Sequence, residues 1–366
     1  MSTQSESINE LAAALSKAQA KISAAVQSIG VASITGDARQ ILTQSRLATA
    51  RTCQRKHDLR YNQGFRAVQE EQVLFFGSLV HTALEAWWLS TGDRLRDARA
   101  ALAVSECDQF TRAMAEAMMF GYDARWGEEQ QHYEVIAVEQ GFCADLRNPK
   151  TGALSRTWCL AGKIDVIVRD RRDGLVRIVE HKTSSESVEP GSAYWKRLRM
   201  DQQVSVYFVG ATSLGHDVAA CVYDVLAKPG QRPYKATPPE SRKYKANGEL
   251  YTNQRDRDET PEEYRERLLA AIGEDPTRYF ARGEVVRLES EIEEALTDIW
   301  ELGQQVREAK LAGRAPRNPG ACMNYNRECE FFSVCSGEAD INDTSKFLRS
   351  VDIHPELNVT KEESST

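Results

Sequence analysis

"GKIDVIVRDRRDGLVRIVEHKTS", residues Gly162 to Ser184, decides the reading of this chain. Two runs rich in Val and Ile flank Asp170-Arg171-Arg172-Asp173-Gly174, which has the turn chemistry of a hairpin. The stretch predicts two neighbouring strands, at 158–168 and 175–183. Charged residues interrupt them where packing is expected: Asp165 on the first, Glu180 and Lys182 on the second. Side chains alternate along a strand, so Glu180 and Lys182 share one face while His181 points the other way. Two carboxylates brought together repel, and burying them costs several kcal/mol unless a cation sits between them. Oxygen ligands around an open site suit Mg²⁺ or Mn²⁺. A lysine beside them can orient or deprotonate a water and hold a phosphate oxygen, as metal-assisted phosphodiester hydrolysis requires. The competing reading is a surface hairpin with an ordinary cross-strand Glu–Lys pair, worth a few tenths of a kcal/mol.

Outward from the hairpin, residues 133–144 read as a further strand, and 72–89 and 96–125 carry helical periodicity. Residues 192–214 read as a helix and "DVAACVYDVLA", 217–227, as a buried strand. Helix, three strands, helix and strand in this order make an α/β core with a mixed sheet. "GSLVHTALEAW" puts Gly77 and His81 near the start of a helix, with Glu85 one turn further on the same face. The imidazole can complete a metal's coordination, although a capping or core histidine is the commoner case. "QVSVYF" sets Gln203 and Tyr207 one turn apart on the helix after the Glu180–Lys182 strand, where an amphipathic helix with a polar edge is the plainer account.

The bulk numbers narrow the class. With 366 residues, 41% of them hydrophobic, the chain holds one large domain or two modest ones. A formal net charge of -7 excludes a polycation that clings to any nucleic acid, so such a function needs a local basic surface and a metal beside the carboxylates. No apolar run is long enough for a bilayer and no signal-peptide core opens the chain, which predicts a soluble intracellular protein without a membrane role. Ser7-Ile8-Asn9-Glu10 forms a capping box for a helix that runs to Gly30. Residues 228–257 carry four prolines, an excess of Lys and Arg, and interleaved Tyr234, Tyr244 and Tyr251. Such a loop can contact phosphates and stack on unpaired bases, or simply be solvated. Charged helices at 260–273 and 284–312 follow, expected on the outside, and an acidic tail from 337 to 366 is expected to be disordered.

Eight cysteines are too few for a secreted disulfide scaffold. Cys107, Cys143, Cys159 and Cys221 are scattered and read as small core hydrophobes. Cys322, Cys329 and Cys335 crowd into one polar stretch, "CMNYNRECEFFSVC", and three thiolates so close call for a metal or cluster. Four ligands are usual for Zn²⁺ or a 4Fe-4S cluster, and Cys53 in "ARTCQRKHDLRY" is the natural fourth.

The ordered set G-x-x-x-H (77–81), G-x-x-D (162–165), E-x-K (180–182) and Q-x-x-x-Y (203–207) resembles the RecB-like branch of the PD-(D/E)xK nuclease superfamily, over roughly residues 45–336. Ile164 stands where the superfamily name has proline, as is common in this branch. The resemblance implies a restriction-endonuclease-like α/β core, a mixed sheet flanked by helices, with helical additions. It implies a DNA exonuclease dependent on Mg²⁺ or Mn²⁺ and acting on linear single- or double-stranded ends, in recombination, repair or phage DNA processing. His81, Asp165 and Glu180 would hold the metal, Lys182 would position the attacking water, and Gln203 and Tyr207 would support the site near the bound strand. Glu139 is a candidate for a supporting role only. The cysteines look like those of the iron–sulfur branch of phage and CRISPR type, where one cysteine before the core and three after it staple the domain ends. That branch often has C-x2-C where C-x6-C stands here, and zinc fits the same thiolates. A recombination or replication protein as partner, and the cytoplasm of a bacterial or phage-infected cell, follow from the resemblance alone.

The expected organisation is a helical extension (1–44), the nuclease domain (45–336) with the basic insert (228–257), and the tail (337–366). From a different class, a catalytically idle module that binds DNA ends and acts as an adaptor keeps fold and cluster without hydrolysis. A zinc-stapled structural protein with no nucleic-acid role is a third reading.

Overall fold

The computed structural model describes residues 39–68, 71–324 and 327–357, with the backbone alone at 71–74. The expected helix from Ser7 to Gly30 lies outside the described residues. A six-stranded mixed sheet forms the centre, built from β1 (Gln40–Leu42), β3 (Tyr133–Arg147), β4 (Leu154–Asp170), β5 (Val176–Ser184), β6 (Val218–Ala227) and β7 (Phe280–Val285). β3 lines the whole of one edge of β4. The other edge of β4 is shared: β1 runs parallel to it at Trp158–Leu160, and β5 runs antiparallel at Val166–Arg169. β5 then pairs in parallel with β6 from Val176 to Ser184, and β7 closes the order antiparallel to β6.

Helices cover both faces. α1 (Gln44–Thr52), α7 (Gln202–Ser213) and α9 (Glu289–Leu311) pack Leu47, Val204, Phe208, Ile299 and Leu302 against one side. α3 (Glu71–Leu89), α4 (Arg94–Val104), α5 (Gln109–Trp126) and α8 (Pro261–Glu274) bury Leu84, Trp87, Met118, Tyr122 and Tyr264 against the other. β5 supplies alternate residues to the two cores, Ile178 to the first and Val179 to the second, as its period of two requires. Short α2 (Gln54–His57) follows α1, and short α6 (Ala193–Arg199) precedes α7.

Several expectations are corrected. The single helix at 96–125 is two, because the Asp108 side chain accepts from the backbone N–H groups of Phe110 and Thr111 and starts a new helix. The helix at 192–214 likewise breaks before Asp201, which caps Gln203. β7 occupies the gap between the two late helices, and β1 lies inside the sheet although 1–44 was read as an extension. Both late helices bury one side, Tyr264, Leu268 and Ile272 on α8 and Ile299, Leu302 and Val306 on α9.

The tail is folded as far as residue 357. β8 (Phe347–Arg349) pairs antiparallel with β2 (Phe65–Ala67), and Phe347 stacks on Phe331 at 5.9 Å between centroids. Thr43 donates to Glu356 at 2.7 Å, so the segment packs back on the start of the domain despite its polar composition. Composition missed this because few apolar side chains carry the contact; backbone pairing and buried polar bonds do the rest. Residues 358–366 lie outside the described residues.

Candidate active site

The ladder between β4 and β5 stops at Val166–Val179, and the strands part just where the charged residues begin. Asp165 sits at the fork. Its Oδ2 accepts the backbone N–H of His181 at 2.8 Å, so a side chain takes over where the ladder ends. Glu180 and Lys182 project toward α7 and form one network. Lys182 Nζ donates to Glu180 Oε1 at 2.6 Å and to Gln203 Oε1 at 2.7 Å. The Gln203 amide nitrogen donates to Glu180 Oε1 at 2.8 Å and to the Tyr207 hydroxyl at 2.6 Å. All four motif residues on this side are therefore brought together as the sequence led one to expect.

His81 and Glu85 lie in the middle of α3 rather than at its start. His81 Nδ1 is 3.8 Å from Asp165 Oδ2. Gly77 lets α3 approach, since a Cβ there would meet Thr183 Oγ1 at 3.3 Å. Gly162 has a packing role too: its Cβ would lie 2.7 Å from the ring of buried Phe142, which also fills the space beside Gly210. Both motif glycines thus allow close approach to a neighbour.

Electrostatically the site is rich in acid. Burial, aided by Asp165, pushes the Glu180 carboxyl up to about 7. Burial also raises Asp165, with Glu139 adding to it and His181 opposing. On α3, burial and the Glu139 charge lift Glu85 to about 7. Burial and His181 depress His81 to about 4, leaving the neutral imidazole that a metal requires. Burial works against the Lys182 ammonium, but Glu180 more than offsets it and holds the proton firmly. Lys182 is thereby suited to orienting a water or a phosphate oxygen rather than to removing a proton.

Two residues near the fork were underrated or missed. Glu139 falls opposite Asp165, between the pairs Val138–Val166 and Gln140–Ile164, and carries a φ of 51°. Lys163 was not singled out; its ammonium forms a close ion pair with Glu139. Donor atoms of His81, Glu139 and Asp165 lie within 4.8 Å of one another, the one such grouping of three among the described residues. The available signal was that Glu139 breaks its strand's apolar run as Asp165 breaks the next, but no sequence rule assigns a glutamate to the left-handed region.

A test of whether these groups suit a divalent ion lies in Glu180. Its residue is 2% exposed, yet Oε2 has no hydrogen-bond partner, which is costly for a carboxylate unless a cation faces it. Neutral imidazole and carboxylate oxygens are fitting donors for Mg²⁺ or Mn²⁺.

Cys53, Cys322, Cys329 and Cys335 come from two chain regions that meet. Cys53 lies between α1 and α2, and the Cys329 N–H donates to the Cys322 carbonyl at 2.8 Å. Cys335, on short α10 (Phe332–Ser336), is close enough to Cys53 and Cys322 for their charges to raise its thiol beyond what burial does, and Cys53 bears likewise on Cys329. Asn318 donates to the Thr52 carbonyl at 2.9 Å and the Arg55 N–H to the Pro316 carbonyl at 3.0 Å, stitching the two chain regions together. Of the scattered cysteines, Cys159 and Cys221 are buried, while Cys107 and Cys143 are half-buried.

The basic insert is less free than its composition suggests. Lys235 pairs with Asp258, Lys245 with Glu249, and Arg255 and Arg257 both with Glu263. Arg267 stacks on one face of Tyr234, 3.9 Å from the ring centroid, and Tyr234, Tyr244 and Tyr251 are all exposed. No helix among the described residues is long and apolar enough to cross a membrane.

A family model described as the PD-(D/E)XK nuclease superfamily matches residues 41–336. No curated protein matches the chain. A solved structure described as "Crystal structure of SSO0001" aligns with 72% of this chain and 86% of its own at 13% identity, with a TM-score of 0.27, too loose to bear on the fold. The match takes in the Asp165 fork, the Glu180–Lys182 strand and all four of Cys53, Cys322, Cys329 and Cys335, and on it the chain belongs to the PD-(D/E)XK nuclease superfamily.

Proposed function

We propose that this protein is a metal-dependent deoxyribonuclease that hydrolyses phosphodiester bonds from the ends of linear DNA, in recombination, repair or phage DNA processing. The observation that carries the reading is the fork between β4 and β5, where Asp165, Glu180 and Lys182 converge under His81. His81, Asp165 and Glu180 would hold Mg²⁺ or Mn²⁺, which when bound polarises the phosphate and acidifies a water. Lys182, kept protonated by Glu180, orients the water and steadies a phosphate oxygen. Gln203 fixes the direction of both groups by accepting from Lys182 and donating to Glu180, and Tyr207 anchors Gln203. This finished arrangement favours catalysis over the idle adaptor, for which no network around Lys182 is needed.

The end preference rests on the resemblance to RecB-like exonucleases. Strand contact through exposed Tyr244 and Tyr251 is part of the same proposal, and it predicts a steep fall of affinity with salt that charge reversal in 228–257 flattens. Cys53, Cys322, Cys329 and Cys335 would hold a 4Fe-4S cluster with a structural role, because hydrolysis needs no electrons. Zn²⁺ fits the same four thiolates, and the visible absorbance of the purified protein separates the two. Cys53→Ser should lose visible absorbance and thermal stability together; loss of neither sinks the four-ligand reading.

The deciding experiment is digestion of end-labelled single- and double-stranded linear DNA by anaerobically purified protein with Mg²⁺ or Mn²⁺. Lys182→Ala is expected to cleave at least about 100-fold more slowly, and chelation to stop cleavage. DNA binding without cleavage, the same in both proteins, returns the adaptor reading.

A further inference from the structure

The geometry points to Glu139 as a ligand of the divalent ion, completing a donor set with His81 and Asp165 on the α3 side of the fork. This rests on the metal-dependent reading above and extends it to a residue outside the four motifs. Three observations converge. The carboxylate of Glu139 shares a sphere of 4.8 Å with His81 and Asp165, a spacing at which one ion can touch all three. Its backbone holds φ at 51° in the middle of β3, a conformation that a glutamate adopts only when its surroundings impose it. Across the fork, Glu180 Oε2 is buried without a partner, an independent sign that a cation belongs between these acids.

A structural account of Glu139 is that it exists to pair with Lys163. That account does not need the left-handed backbone, since two strands already bring positions 139 and 163 together: Gly141 is the register partner of Lys163. The turned backbone instead sets Glu139 against Asp165, a like charge, which makes sense around a bound cation. Lys163 then holds the carboxylate in place from the side, and Glu85 on α3 adds charge to the same side of the ion without a hydrogen-bonded partner of its own among the described contacts.

The test is Mn²⁺ binding to the full chain without DNA, by isothermal calorimetry and by the electron paramagnetic resonance of free Mn²⁺. Glu139→Gln preserves shape and removes the charge. Glu139→Asn removes the carboxylate but accepts the left-handed conformation readily, so its melting temperature should equal or exceed that of the parent. Both variants are expected to bind Mn²⁺ about 10-fold more weakly or worse. Parent-like Mn²⁺ affinity in Glu139→Asn, with or without a lower melting temperature, overturns the assignment and leaves Glu139 as the partner of Lys163. If the parent protein itself binds no Mn²⁺, the metal-dependent reading fails first and this one with it. If the parent binds and Glu139→Asn binds equally, this one fails alone.

Discussion

Two buried charge networks meet at β5, one around Asp224 and one around Asp165 and Glu180, and they differ in how far their own residues balance the charge. Toward α5, His181 Nδ1 faces Asp224 Oδ2 at 3.3 Å. The same oxygen accepts from the Tyr122 hydroxyl at 2.5 Å and from Arg282 at 3.1 Å. Burial opposes the charge of Asp224, but Arg282 and His181 hold the carboxyl well below the usual range. Burial likewise pulls His181 down, and Asp224 outweighs it. Glu180 toward α7, and Asp165, Glu139 and Glu85 at the fork beside α3, face fewer cations, and burial lifts the Glu180 and Glu85 carboxyls to about 7. A network whose carboxylate is balanced by its own cations holds a sheet together. One left short of positive charge is where the proposed cation would bind.

Activity should separate the two networks most strongly. Asp165→Ala should abolish cleavage, on the order of 10³-fold or more, and should also cost about 1–3 kcal/mol of stability, because the buried His181 N–H loses its acceptor. Full activity in that variant removes the functional network from the account. Around Asp224 the effect should be on stability. Asp224→Ala leaves Arg282 buried without its carboxylate and should cost about 3–5 kcal/mol in denaturant unfolding. A cost below about 1 kcal/mol would mean that the two networks are alike.

The next test uses a third buried polar group. His57 accepts from Arg46 Nε at 3.0 Å, and burial with the Arg46 charge lowers it to about 3. Because the unfolded chain takes up this proton first, its contribution to stability is present above about pH 6.5 and is lost as pH falls toward 3. The slope should be about 1 kcal/mol per pH unit, and His57→Gln should remove it from the unfolding curves. Smallest and opposite in sign, Asp165→Asn in metal-free protein should match the parent or gain about 1 kcal/mol, since it relieves like-charge repulsion at the fork. A clear loss in that variant would show the acids to be compensated already.

Much of the site was legible in the sequence. Asp165, Glu180 and Lys182 stood out as charges in apolar strands, and strand periodicity alone separated Glu180 and Lys182 from His181. Helical spacing paired Gln203 with Tyr207, and the structure joins them by a hydrogen bond. The breaks at Asp108 and Asp201 were missed because apolar periodicity continues through them; one capping carboxylate overrides it locally. β1 is three residues long and the strand that pairs with it comes more than a hundred residues later, so nothing local announces it.

Residue order by itself determined which side chains share a face, where turns fall and which charges are out of place, because these depend on local geometry with periods of 2 and 3.6 residues. Only the tertiary structure decided that β4 divides one edge between β1 and β5, and that the ladder opens at Asp165. It also turned Glu139 inward beside Lys163 and folded 340–357 back on Thr43 and Phe331. These outcomes depend on which distant backbones meet, and on what a buried charge finds opposite it when they do.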